Sequence, residues 1–172
     1  EILGRPTDHS VTVNARPERD LDLYFEYGRT SGTYGSVTPT SRVGASQPAE
    51  FTFDSLSRDT RYYYRARFRN AASSDAFAAG AEHSFMTQRA SGSTFRFAVQ
   101  GDSHPERPGN MFNADLYTRT LKAVAADRPD FYLTSGDDFS VDTIRTVNEA
   151  TVTERYTIQV PYFAQMAHST PL

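Results

Sequence analysis

Asp102 and His104, in Gly101-Asp102-Ser103-His104, and Asp137, in Gly136-Asp137-Asp138, have the types and spacing of metal ligands. A carboxylate and an imidazole two positions apart can converge on one cation once a loop frees them from strand alternation. A second carboxylate on a neighbouring loop can reach the same ion or bridge it to another. Glycine before each aspartate lets the backbone turn tightly and approach the site closely. The chain has no cysteine, which excludes thiolate zinc sites, disulfides and cysteine nucleophiles together. Any metal is then held by histidine, carboxylate or amide oxygen.

Either motif alone also fits a polar turn that closes a strand. The two together favour metal binding, because both sit where a strand ends. Asp138 is expected to face solvent or an outer layer of the site, Asp142 has no assignment, and His168 reads as a solvated residue at a helix end.

The elements that must position these residues follow the pattern of a parallel sheet. Thr94 to Gln100 reads as a strand, and Asn113 to Asp127 as a helix with Leu116, Tyr117, Thr120, Leu121 and Val124 on one side. Arg128-Pro129 stops that helix, and Asp130 to Ser135 is a second, mostly apolar strand. Strand, helix, strand with apolar strands makes a βαβ unit. In open α/β sheets, sites form where the strand carboxyl ends emerge. Thr146 and Glu149 suggest a capping box for a further helix, ending near Val160 before Pro161.

Residues 1–88 follow period two instead. Leu21, Leu23, Phe25 and Tyr27 alternate with polar neighbours, as do Tyr62, Tyr64, Ala66 and Phe68. Short alternating strands separated by turns argue for an all-β sandwich. Arg89 to Ser93 is a small polar linker, so the chain divides into 1–88, a linker 89–93, and 94–172. Arg65, Arg67 and Arg69 could form a polyanion surface, but pairing with a strand carrying Asp22 and Glu26 is the simpler reading. With 172 residues and a net charge of −3, the chain lacks the basic excess of a general nucleic-acid binder. No apolar run approaches the ~20 residues of a membrane helix.

Leu56-Ser57-Arg58-Asp59-Thr60-Arg61-Tyr62 resembles the turn of fibronectin type III domains in which a tyrosine hydroxyl caps the preceding loop. In that comparison the first strand is short or missing. Residues 94–172 resemble the calcineurin-like metallophosphoesterases, whose pattern begins with Asp-x-His after one strand and Gly-Asp after the next. The resemblance implies a two-domain chain: a fibronectin III-like sandwich, then the start of an α/β metallophosphoesterase domain. It implies that Asp102 and His104 ligate one metal, that Asp137 bridges two, and that the ions are manganese, iron or zinc. The implied activity is phosphoester hydrolysis by a water activated between two metals, with a phosphoester as substrate. The family's Gly-Asn-His segment and later histidine motifs have no counterpart, so the chain is expected to be the N-terminal portion of a larger enzyme and inactive alone.

A sandwich ahead of such a domain also resembles the purple acid phosphatases. That subtype has glycine where His104 stands and tyrosine where Ser140 stands, which points instead to non-purple bacterial enzymes of the same architecture. Export from a bacterial cell is the matching expectation for location. The alternative is an extracellular binding or adhesion module with a vestigial phosphatase-like part.

Overall fold

The computed structural model describes residues 1–109 and 111–172. The first half contains β1 (Ile2–Gly4), β2 (Val11–Ala15), β3 (Leu21–Gly28), β4 (Ser36–Val37), β5 (Ser41–Val43), β6 (Ala49–Phe53), β7 (Arg61–Asn70), β8 (Ala78–Ala79) and β9 (His83–Met86). The second contains β10 (Phe97–Gln100), α1 (Ala114–Asp127), β11 (Phe131–Thr134) and α2 (Glu149–Phe163).

Two antiparallel sheets form the sandwich. One has the order β1-β2-β6; in the other, β3 and β7 are the central pair, with β4 and β5 on β3 and β8 and β9 on β7. The first strand is therefore short but present. Alternation places Phe25, Tyr27, Tyr64 and Phe85 of one sheet against Phe51 and Phe53 of the other in one buried core. Phe25 meets Phe51 edge-on at 5.1 Å between centroids, and Phe53 meets Tyr64 at 5.3 Å. Burial of rings on this scale is the main stabilising contribution of the sandwich.

The register sets Asp22 opposite Arg69 and Glu26 opposite Arg65, and Arg65 and Arg69 reach those carboxylates. The arginine stripe thus belongs to the sheet's charge pairing. The Tyr62 hydroxyl accepts the Ser57 backbone N–H at 2.9 Å, the loop-capping contact expected from the sequence.

In the second half β10 and β11 pair in parallel, from Phe97 opposite Phe131 to Gln100 opposite Thr134. Helices α1 and α2 cover one face, where Leu121, Tyr132, Phe163 and Met166 form a second core. Asn113 caps α1 by accepting the Leu116 N–H, and Arg128 ends it in a left-handed conformation. Leu116 itself is exposed: it stands in the first turn, away from the sheet, so the helix face is narrower than its apolar residues suggest.

Two details of α2 differ from the sequence reading. Its capping box is made by Asn148 and Thr151, not Thr146 and Glu149, each side chain taking the other's backbone N–H at 3.0 Å. The helix also runs through Pro161 to Phe163, because Phe163 is buried in the second core and holds the last turn.

The segment after α2 joins the halves. Leu3 donates to Ala167 O at 2.9 Å and accepts from Leu172 N at 3.0 Å, while Tyr132 N donates to Pro171 O at 2.8 Å. The buried Tyr64 hydroxyl donates to His168 O at 2.7 Å. His168 is therefore part-buried at this junction and not a solvated helix end. Among the described residues, no helix is long and apolar enough to cross a membrane.

Candidate metal centre

Parallel pairing continues beyond the strand ends and brings the two motifs together. Ser135 N donates to Gln100 O at 2.7 Å, and Asp102 N to Gly136 O at 3.2 Å. A Cβ at Gly101 would lie 2.6 Å from Ser135 Oγ, so a larger residue here would have to turn that hydroxyl aside. The backbone then turns sharply. Asp102, His104 and Asp137 have φ of 55°, 44° and 53°, all in the left-handed region, and Gly136 has 105°. That conformation costs a non-glycine residue of order 1–3 kcal/mol and persists where surroundings enforce it, often at functional sites.

The outcome is convergence. One ligand-type atom from each of Asp102, His104 and Asp137 lies within 4.8 Å of the others. His104 is buried with Nε2 3.9 Å from Asp102 Oδ1, while the Asp102 side chain is 79% exposed. Asp138, by contrast, is outside the cluster: burial, helped by the Asp137 charge, holds its carboxyl above the usual range against a lowering influence of the Thr134 side chain.

Residues without any sequence signal hold the loops in place. Ser103, between two of the clustered residues, is buried; it donates to Asp138 O at 3.1 Å and accepts from Gln159 Nε2 of α2 at 3.1 Å. The same Gln159 nitrogen donates to the Tyr117 hydroxyl of α1 at 2.9 Å. His104 Nδ1 is 3.1 Å from Glu106 Oε1, and that oxygen also accepts the Ser140 N–H at 3.0 Å. Burial would raise the Glu106 carboxyl, but its own backbone N–H, His104 and the Ser140 N–H together bring it below the usual range, so it is ionised near neutrality. Arg107 closes the outer edge by donating to Ser140 Oγ at 2.8 Å and to Asp142 Oδ2 at 2.6 Å. Asp142 is thereby accounted for as the partner of Arg107. A His-x-Glu spacing within one turn was the available hint for Glu106; Gln159 had none.

The donor set fits a cation. Two carboxylates and an imidazole edge are gathered together, and among the described residues no lysine or arginine lies in salt-bridge range of Asp102 or Asp137. Like charges held close without a counter-charge are unfavourable, and a divalent ion relieves this. Oxygen and imidazole donors suit manganese, iron or zinc.

Solved structures share the fold of this chain. The fold matches purple acid phosphatase PPD1 from yellow lupin (Lupinus luteus) seeds with a TM-score of 0.68 at 16% identity, covering 99% of this chain and 33% of that one. This chain therefore spans about a third of that enzyme's chain, and at such identity the likeness is one of fold. The sandwich also aligns with the fn3 domain of the human collagen alpha-1(XX) chain, at 22% identity over 54% of this chain and 84% of that one, with a TM-score of 0.36. No protein-family model matches the sequence, and no curated protein does. Fold and topology are thus those of a two-sheet antiparallel β-sandwich followed by a short α/β segment. In particular, they match the corresponding part of a purple acid phosphatase.

Proposed function

We propose that the chain is the first metal-binding portion of a phosphoester hydrolase. The observation that carries this reading is the convergence of Asp102, His104 and Asp137 at the carboxyl ends of two paired parallel strands. Asp102 and His104 would hold one ion, and Asp137 would share it with a second. Bound metal supplies Lewis-acid polarisation of a phosphoryl oxygen and a lowered water pKa. The chain's own part is to fix the donors: the left-handed turns aim them, Ser103 and Gln159 anchor the loop from beneath, and the Glu106–Ser140 contact ties one loop to the other. No serine, threonine or cysteine of the cluster is needed as a nucleophile. Export from a bacterial cell remains the location proposed with this architecture.

Manganese titration by calorimetry, with folding checked by circular dichroism, tests the assignment. One ion per chain is expected at the three residues. Asp137→Asn should weaken it by more than about 100-fold, the upper end of what losing an outer partner costs, and Asp138→Asn by less than about tenfold. Aryl phosphate hydrolysis by the full-length protein should fall in the same order. Equal losses for the two variants would remove Asp137 from the site.

A further inference from the structure

The geometry points to Glu106 as the positioning residue that sets which nitrogen of His104 faces the metal. This rests on the metal-site reading above and adds a role for a residue with no place in the Asp-x-His or Gly-Asp motifs. The Glu106 side chain is almost completely buried, 1% exposed, two residues after a buried histidine. Such burial is costly unless the group is hydrogen-bonded and paired, and Arg107 Nε lies 3.5 Å from its Oε1. Its Oε1 faces His104 Nδ1 at 3.1 Å and already accepts the Ser140 N–H, so it meets the ring as an acceptor and Nδ1 carries the proton. Nε2 is then left with its lone pair, on the side of Asp102. Histidine ligands are oriented in this way by a hydrogen bond from the far nitrogen to a carboxylate.

The same oxygen accepts the Ser140 N–H at 3.0 Å. Glu106 thus couples the His104 ring to the loop that follows Asp137, so ring orientation and loop spacing are set together. Ser140 contributes through its backbone, while its hydroxyl accepts from Arg107.

Two measurements on the full chain test this: the His104 tautomer by nitrogen NMR without metal, and manganese affinity by calorimetry. The unaltered protein should show Nδ1–H alone. Glu106→Ala should populate Nε2–H and lose about 10–100-fold in affinity, whereas Glu106→Gln, which keeps an acceptor oxygen, should retain the tautomer and most of the affinity. An Nε2–H tautomer in the unaltered protein overturns the proposal, and so does Glu106→Ala with tautomer and affinity unchanged. Should Glu106→Ala not fold, the unaltered protein and Glu106→Gln still decide the tautomer. A correct tautomer with no manganese binding in any form supports Glu106's hold on His104 and refutes the metal reading alone.

Discussion

The sandwich and the α/β segment solve the same problem, covering a sheet, to different extents. In the sandwich each sheet buries one face against the other, and Phe25, Phe53, Tyr64 and Phe85 are fully buried. In the α/β segment the helices cover one face of β10–β11, while Phe97, Val99 and Leu133 on the other are each about half exposed. The clustered donors, with the left-handed turns that aim them, sit on this less fully covered half. The contrast separates two jobs: aromatic packing in the sandwich supplies stability, and the shorter sheet supplies two strand ends at fixed spacing.

The largest expected consequence lies in the first core. Phe53 packs against Tyr27, Tyr64 and Phe85 with ring centroids at 4.5, 5.3 and 6.2 Å. Phe53→Ala removes these contacts, together with that to Phe25 at 5.8 Å, and leaves a cavity between the sheets. It should cost about 3–5 kcal/mol in urea unfolding. A loss below 1 kcal/mol would mean that the sandwich core does not dominate stability.

Much of this division was legible in the sequence, for physical reasons that differ by region. Strands with one buried face announce themselves by period two, which is why Tyr62, Tyr64 and Ala66 could be placed on the core side in advance. Asp102, His104 and Asp137 were legible because polar residues directly past an apolar strand have few structural uses. Both strands of the βαβ unit read as apolar on both faces, however, and composition says nothing about which face the helices cover. Glu106 escaped because its partners are a side chain two residues away and a backbone N–H in another loop, so its role exists only once both loops have folded. The N-cap of α2 was misplaced because Thr146 and Asn148 are both good capping residues, and only the folded geometry selects Asn148 and Thr151.

A smaller effect is expected at the junction of the two regions. The rings of His83 and His168 lie 4.3 Å apart between the halves. Burial first, and then His168, push the His83 pKa down from 6.5 to about 4. Between those values the unfolded chain holds a proton that the folded chain refuses, so acidification destabilises the fold. The contribution is present above pH ~6.5 and lost towards pH ~4, with a slope of up to about 1.4 kcal/mol per pH unit. Glu1, whose carboxyl is raised by burial, works in the opposite sense, so the useful comparison is with His83→Gln. That variant should flatten the dependence of unfolding free energy on pH in this interval. An unchanged slope would mean that His83 is open to solvent.

The smallest effect belongs to the uncovered face. Leu133 sits on β11 with about half of its surface exposed, pointing away from the helices that bury Tyr132 beside it. Threonine suits a strand as well as leucine does, so Leu133→Thr isolates the value of the outward side chain from strand propensity. A substitution that removes no buried contact normally changes stability by no more than about 0.5 kcal/mol. Urea unfolding of Leu133→Thr should stay within that range, against the several kcal/mol expected for Phe53→Ala in the same experiment. A loss above about 2 kcal/mol that grows with protein concentration would instead show that this face is buried by self-association in solution. The same loss at every concentration would mean that the chain itself covers it, and the contrast between the two halves would fall.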